Sequence, residues 1–327
     1  MILAYLSENN LKPEIITPLN QELLNGALFI DLLNPTKEEE KLVEEKLNLD
    51  LPTREEMQEI EISSRLYKEN NALFMTVTMV AKSDTSEPKS DAVTIVLVGN
   101  LLVTIRYIEP QSFALFTHDI ARLHKDSHRA VNLLIELLDT SIDRLADILE
   151  NVSRSLEEHS RIIFHSQDNP SGDDSIKIDY KMLLQRIGAS GDLNTKVQES
   201  LISFNRLITF FGKKSTNDLD PSIQSRLTMM SRDTKSLRDH VGFLSNKVIF
   251  LLDATLGMVN IEQNNIIKIF SIASVVLLPP TLIASIYGMN FDYMPELKWK
   301  LGYPFSIMLM FISAWLPYKF FKMKKWL

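Results

Sequence analysis

Two uncharged runs near the C-terminus constrain this 327-residue chain more than any other feature. The segments Ile269–Tyr287 and Leu301–Tyr318 hold 19 and 18 residues without an Asp, Glu, Lys or Arg. About 20 helical residues cross the hydrocarbon core of a bilayer, so both segments are predicted to be membrane-spanning helices. The polar segment Gly288–Lys300 is predicted to join them as a hairpin.

Basic residues indicate how this hairpin is oriented. The second run is followed by Lys319, Lys322, Lys324 and Lys325, whereas the joining segment carries only two lysines. Because Lys and Arg near span ends favour the cytoplasmic side, both the N- and the C-terminus are expected in the cytoplasm, with the spans in an inner or plasma membrane. The first ten residues lack the basic and apolar regions of a cleavable signal peptide.

Composition disfavours several functional classes. The net charge is -7, from 35 basic and 42 acidic residues, which argues against a nucleic-acid partner. The chain has no cysteine, which excludes disulfides, iron–sulfur clusters and a cysteine nucleophile. Neither a phosphate-binding Gly-Lys loop nor a Gly-x-Ser-x-Gly elbow occurs, so we expect no enzyme and no organic cofactor.

Residues 1–125 are predicted to form a cytosolic α/β domain with a mixed sheet. Gly99-Asn100 reads as a tight hairpin between two strands, and Thr36 and Thr53 stand where helices would begin. Runs rich in aliphatic and β-branched residues predict five strands: Met1–Ser7, Ala27–Leu32, Leu73–Ala81, Val93–Val98 and Leu101–Arg106.

Residues 126–265 are predicted to be a stalk of long helices, and residues 266–327 the membrane hairpin with its basic tail. Helices are expected over His128–His165 and Ile178–Phe211. From Pro221 to Tyr287 only Pro279-Pro280 could interrupt a helix. At 1.5 Å per residue this helix would be about 100 Å long, so it must pack against its neighbours or against copies of itself.

One face of the first span carries a polar seam at alternating spacings of three and four residues. Its members are Asn264, Ile267, Ser271, Ser274, Leu278, Thr281 and Ser285, with Asp253 eleven residues before Asn264 on the same face. Small and hydroxyl side chains often join membrane helices, which is one interpretation. In the other, copies of the seam line a water-filled axis, and Asp253 repeats as a carboxylate ring. Asp253 alone could equally be a surface acid.

The first span ends in Gly288-Met289-Asn290 and continues to Leu297 as Phe-Asp-Tyr-Met-Pro-Glu-Leu. Here the sequence resembles the CorA family of magnesium channels, whose signature is Gly-Met-Asn at the outer end of the first of two C-terminal spans. The similarity runs over about 75 residues, to the final Lys-Trp-Leu. The resemblance implies a homopentamer whose first spans line a pore and whose second spans surround it. It also implies Mg²⁺ uptake, with Co²⁺ or Ni²⁺ as further cargo, restrained by cytosolic Mg²⁺.

The resemblance assigns roles along this pathway. Asn290 would offer amide oxygens to a hydrated ion at the outer mouth, beside a backbone turn at Gly288 and a packing side chain at Met289. Thr281, Ser274 and Ser271 would continue the wet path, Leu278 and Ile267 would be hydrophobic constrictions, and Asn264 and Asp253 would stand at the cytosolic mouth. Asp292 and Glu296 in the outer link either attract cations or simply keep the link soluble.

In the family, cytosolic acids at subunit interfaces bind Mg²⁺ and hold the channel shut. The matching residues here are Glu59, and Asp233 on the stalk, one turn after Met229. The match is incomplete, because Gln58 and Met229 replace acids that the family pattern contains. A row of acids on the preceding helix, from Glu136 to Glu150, is either a solvated face or a surface that attracts cations.

Two other functions fit parts of the sequence. One is a zinc transporter of the related ZntB branch, which departs from the Gly-Met-Asn signature kept here. The other is a membrane-anchored scaffold that transports nothing. The polar seam counts against the scaffold, because a simple anchor needs no line of hydroxyl and amide groups.

Overall fold

The computed structural model describes residues 1–6, 11–120, 129–165, 179–214, 220–290, 294–324 and 326. These residues form two units, an N-terminal unit, Met1–Leu252, and a C-terminal unit, Asp253–Leu327. The boundary between the units falls inside one long helix.

A seven-stranded mixed sheet organises the N-terminal unit. Its spatial order is β2-β1-β3-β7-β6-β5-β4, and β3 with β7 is its parallel pair. The strands are β1 (Ile2–Leu6), β2 (Pro13–Ile16), β3 (Ala27–Leu33), β4 (Leu66–Glu69), β5 (Ala72–Ala81), β6 (Lys89–Val98) and β7 (Leu101–Arg106). The five strands predicted from the sequence are confirmed, and the two further strands are four-residue strands at the sheet edges.

The central strands are buried on both faces, which explains their near-continuous apolar sequence. Nine of the ten residues of β5 are buried. The predicted hairpin between β6 and β7 is present, and Gly99 adopts a φ of 54° there. This left-handed conformation suits a residue without a Cβ atom.

Capping residues begin the small helices as predicted. Thr36 and Thr53 each form a capping box, with Glu39 and Glu56 respectively. The first helix, α1, covers Lys37–Leu47, whereas α2 is a single turn, Arg54–Met57. The chain continues through α3 (Ile62–Arg65) directly into β4.

A buried ion pair fixes the parallel strand pair at the centre of the sheet. The Arg106 guanidinium contacts the Asp31 carboxylate at 2.7 Å, with Asp31 only 1% exposed. The Thr104 hydroxyl, opposite Asp31 in the register, donates to the same carboxylate at 2.7 Å. Because a buried charge is costly without partners, this arrangement favours one register of β3 against β7.

The next helix, α4 (Gln111–Ile120), has ten residues and was not predicted from the sequence. The helices that follow are long, as predicted: α5 (Ala130–His165), α6 (Tyr180–Lys214), α7 (Pro221–Tyr287) and α8 (Gly302–Met323). The predicted bounds of the longest helix, α7, match its observed bounds, and Pro279 and Pro280 lie inside it. In the N-terminal unit α5 buries an apolar stripe that includes Leu134, Leu138 and Leu145.

Three hydrogen bonds attach α6 to two neighbouring elements, β5 and α7. The Ser200 hydroxyl donates to the Thr78 carbonyl of β5 at 2.7 Å, and the Ser203 hydroxyl accepts from the Thr78 amide at 3.0 Å. The Asn194 amide donates to the Val241 carbonyl of α7 at 3.1 Å. Because β4 pairs only with Ala72–Met75, these serines satisfy backbone groups on the edge of β5 that faces away from β6, beyond the end of β4.

Candidate ion pathway

The C-terminal unit has two helices long and apolar enough to cross a membrane, α7 and α8. In each helix only 6% of the most apolar 18-residue window is buried within the chain. The core helix of a water-soluble protein would be mostly covered by its own chain. An apolar surface this large therefore requires lipid, or copies of the chain, around it.

Every member of the polar seam is exposed in the single chain. Even its two large apolar members are uncovered, since Ile267 is 55% and Leu278 is 65% exposed. The structure therefore places the seam residues along one continuous open strip of α7, between Asp253 near the unit boundary and Ser285 near the helix end.

Hydroxyl groups of the seam are held by the helix itself. Ser271 donates to the Ile267 carbonyl at 2.8 Å, Ser274 to the Phe270 carbonyl at 2.9 Å, and Thr281 to the Leu277 carbonyl at 2.8 Å. The hydrogens of these three hydroxyls are therefore in use, while their oxygen lone pairs stay available. The strip thus presents acceptors, which suit a cation or the water molecules around it.

The double proline adds acceptors in the middle of the span. Pro279 and Pro280 supply no amide hydrogen to the carbonyls four residues earlier, those of Val275 and Val276. In a membrane helix such carbonyls need water, a side chain or a neighbouring helix as their partner. Sequence reasoning noted the prolines only as breakers and missed this consequence.

The outer end of α7 makes a compact turn. The Gly288 amide donates to the Ala284 carbonyl at 2.9 Å, and the Met289 amide donates to the Ile286 carbonyl at 3.3 Å. A Cβ atom at position 288 would stand 3.1 Å from the Ala284 carbonyl oxygen. Glycine therefore suits position 288 because the carbonyl of Ala284 lies closer than a Cβ atom usually comes. A positive φ is not the reason, since among the described residues Gly99 is the one glycine with positive φ. Met289 is 48% exposed, and Asn290 is exposed beside it.

The outer-link acids are only partly covered by the structure. Asp292 lies outside the described residues. Glu296 falls in a short 3-10 turn, Pro295–Lys298, and its side chain is outside the described part of the chain.

The regulatory candidates both lie in the N-terminal unit and are both exposed. Glu59 follows α2, and its carbonyl accepts a hydrogen bond from Arg65. Asp233 lies on α7 and faces the acids of α5. Among the residues that the structure describes, no three His, Cys, Asp or Glu side chains are grouped to hold a metal ion. These two positions therefore remain predictions.

The acid row of α5 is partly neutralised by arginines. Arg226 of α7 contacts Glu136 at 3.1 Å and Asp139 at 2.7 Å, and Arg144 contacts Asp147 at 3.9 Å. Partial burial raises the pKa of Asp143, and the acids around it, including Asp233, raise that pKa further. Sequence reasoning identified the acids but missed Arg226, which is distant in the chain.

This architecture defines a class of protein: a mixed-sheet unit with long helices, followed by two apolar helices at the C-terminus. A model of the family described as "CorA-like Mg2+ transporter protein" matches residues 25–324. Over 327 residues the chain is 36% identical to the magnesium transport protein CorA of Escherichia coli K12, covering 100% of both chains. The chain therefore belongs to the CorA-like Mg²⁺ transporter family.

Solved structures have the same fold. The CorA magnesium transporter of Methanocaldococcus jannaschii matches with a TM-score of 0.71 and 18% identity, covering 100% of this chain and 99% of that one. The ZntB cytoplasmic domain of Vibrio parahaemolyticus matches with a TM-score of 0.54 and 11% identity, over 80% and 98% of the two chains. At these identities the likeness concerns the fold alone. The full-length sequence match favours the magnesium branch over the zinc branch.

The comparisons confirm the resemblance and the fold inferred from the sequence. They identify a family of membrane transporters rather than enzymes, and the two apolar helices agree with a two-span membrane protein.

Proposed function

We propose that this chain is the subunit of a homopentameric channel that carries Mg²⁺ into the cytoplasm down its electrochemical gradient. Membership of the CorA-like family and the full-length similarity to a magnesium transport protein support this proposal. Co²⁺ and Ni²⁺, which are also small divalent ions, are the further cargo that we expect.

The observation that carries the proposal is the exposed polar seam on a membrane helix. If the seam faced lipid tails, the Asn264 amide and the free lone pairs of the hydroxyl oxygens would be in hydrocarbon, which offers them no partners. Two spans cannot enclose a polar path, whereas several copies of α7 around an axis can turn their seams toward shared water. The same assembly would cover part of the apolar surface that the single chain leaves open.

A hydrated ion explains the chemistry of the outer mouth. Mg²⁺ prefers six oxygen ligands and gives up its water reluctantly. A ring of Asn290 side chains would accept hydrogen bonds from that water shell without a tight carboxylate cage. Met289 would pack, since its thioether suits soft metals rather than Mg²⁺. Asp292 and Glu296 would raise the local concentration of cations outside.

Transport needs no coupled chemistry in this proposal. A membrane potential contributes about 2.3 kcal/mol per charge per 100 mV, and a divalent ion gains about twice that amount. A ring of Asp253 carboxylates would attract the ion at the cytosolic mouth, and Asn264 would follow about three helical turns further along the same face. Ile267 and Leu278 would form apolar constrictions that close when water leaves them.

Residues 1–125 and 126–265 would then be the cytosolic sensor domain and stalk, with residues 266–327 as the pore hairpin and both termini in the cytoplasm. Glu59 and Asp233 are the proposed contacts for regulatory Mg²⁺. Removing either carboxylate, with Glu59→Ala or Asp233→Ala, should leave the channel conducting at high internal Mg²⁺. If inhibition is unchanged in both variants, this regulatory assignment is wrong.

The test of the main proposal is ion uptake into proteoliposomes that contain a Mg²⁺-sensitive dye. The native chain should admit Mg²⁺ under an inside-negative potential, and Asn290→Ala should lose selectivity or flux. Cross-linking in mild detergent should stop at a pentamer. Absence of Mg²⁺ flux in the native chain, or Zn²⁺ flux that requires a proton gradient, would contradict the proposal. The second result would favour the zinc branch.

A further inference from the structure

The C-terminal end of α8 combines lysines and indole rings on one face. Trp315, Lys319 and Lys322 are spaced by four and three residues, which places them within a sector of about 60° on the helix. All three side chains are exposed in the structure. We call these three residues the basic–aromatic face.

The charge on this face has no carboxylate nearby in the sequence. Between Leu297 and Leu327 the chain contains no Asp and no Glu. The Lys319 ammonium is held 4.8 Å from the centre of the Trp315 ring, an arrangement that orders the cation and leaves its charge uncompensated.

A second indole, that of Trp326, follows the end of α8. After α8 the Trp326 amide donates to the Phe321 carbonyl at 3.0 Å, and the two rings stack with their centres 5.8 Å apart. Trp326 is still 55% exposed. Indole rings settle at the boundary between lipid tails and headgroups, so rings at both ends of the lysine pair hold it at headgroup depth.

We propose that the basic–aromatic face is a binding surface for anionic phospholipid, with Trp315 in the interfacial layer and Lys319 and Lys322 on the lipid phosphate and its anionic headgroup. A lysine near an anionic membrane surface contributes a factor of about five to binding, so a pair discriminates clearly between anionic and zwitterionic lipid. The inference goes beyond the proposed channel function and needs only that α8 lies in a membrane.

Tryptophan fluorescence offers a direct test, because the chain has three tryptophans. Trp299→Phe leaves Trp315 and Trp326 as reporters of this end of α8. The full chain is reconstituted into phosphatidylcholine–phosphatidylglycerol vesicles in which either one lipid or the other is brominated to quench nearby indoles. We expect phosphatidylglycerol to be preferred by about fivefold or more, and the preference to fall at high salt.

The lysine variants decide what causes the preference. Lys319→Gln with Lys322→Gln should bring the preference close to one, whereas the matched pair Lys298→Gln with Lys300→Gln should leave it unchanged. Equal quenching by both lipids in the parent protein would overturn the proposal. A preference that survives in Lys319→Gln/Lys322→Gln would also overturn it, as expected if these lysines instead face the ion pathway. The readout does not depend on Mg²⁺ flux, so failure of the channel proposal would leave it interpretable.

Discussion

The two units of this molecule differ in whether their polar groups are buried or exposed. In the N-terminal unit the ion pair of Asp31 and Arg106 is buried and fully partnered within one chain. In the C-terminal unit the polar seam lies open on α7, and the hydroxyls of Ser271, Ser274 and Thr281 donate to carbonyls of their own helix. Within the single chain the first unit supplies partners to this buried charge, whereas the second unit leaves its polar strip open. Substitutions should therefore affect stability in one unit and ion flux in the other.

The largest expected effect comes from filling the seam. Ser274→Leu adds a bulky apolar side chain to the strip, and if seams from several copies meet around an axis, each addition is repeated in the same ring. We expect Mg²⁺ flux to fall at least about tenfold, because an apolar ring expels water from a narrow pore. Dye-based uptake in proteoliposomes measures the effect.

The matched control is the neighbouring residue. Ala273 is also small and exposed but lies off the seam, so Ala273→Leu should retain most of the flux. An equal loss of Mg²⁺ flux in both variants would mean that the seam is a packing surface between helices. The polar strip of the C-terminal unit would then have a structural role, like the buried polar groups of the N-terminal unit.

The second largest effect should appear in the N-terminal unit and should be one of stability. Arg106→Met leaves the Asp31 carboxylate, 1% exposed, without its counterion. Breaking a buried pair in this way costs about 3–5 kcal/mol. Thermal unfolding in detergent should show a clear loss for Arg106→Met, and Asp31→Leu in the same chain should recover part of it.

Lys41→Met provides the comparison for that experiment. Lys41 contacts Glu45 at 3.8 Å with both side chains about 70% exposed, and such surface pairs contribute about 0–1 kcal/mol. A similar loss of stability in Lys41→Met and Arg106→Met would contradict the importance given to the buried pair.

A smaller effect is expected where α6 meets the sheet. Ser203→Ala removes the acceptor for the Thr78 amide, and an unpaired buried donor costs about 1–3 kcal/mol. Thr195→Ala on the same helix should be nearly neutral, because Thr195 is exposed and its hydroxyl donates to the Gly191 carbonyl of its own helix. Urea unfolding of the two variants compares these effects, and equal midpoints would show that the serine contact is dispensable.

Local sequence signals predicted most of the fold because they depend on neighbouring residues. Thr36 and Thr53 marked helix starts through their capping boxes, and the uninterrupted pattern after Pro221 predicted α7 to its last residue. The edge strands β2 and β4 were not predicted from the sequence, because each has only four residues and forms through tertiary pairing rather than through its own strand propensity.

In the candidate site, too, features that depend on neighbouring residues were predictable from the sequence, whereas contacts between distant residues were not. The spacing from Asn264 to Ser285 predicts a shared face, and the structure places those side chains along one open strip. Arg226 could not be found from the sequence, since it lies about 90 residues from Glu136 and meets it only through helix packing. What covers the seam depends on other molecules, so neither the sequence nor a single chain determines it.

The smallest expected effect concerns pH and tests how completely the N-terminal unit partners its polar groups. His159 on α5 is 3% exposed, and its Nδ1 atom has no hydrogen-bond partner in the described residues. Burial lowers the pKa of His159, Arg186 lowers it further, and Glu158 partly opposes them. Since the folded pKa lies below the unfolded value of about 6.5, the neutral ring favours folding above that pH. Stability should therefore decline as the pH falls below about 6.5, and His159→Leu should reduce this decline. Thermal unfolding at pH 7.5 and pH 5.5 measures the difference, with His240→Leu as the control at a histidine whose side chain is less buried.

An unchanged pH dependence in His159→Leu would mean that the ring gains a partner when it is protonated. The N-terminal unit would then supply partners to its buried polar groups in a way that the neutral structure does not display, and His159 would not be an exception in that unit.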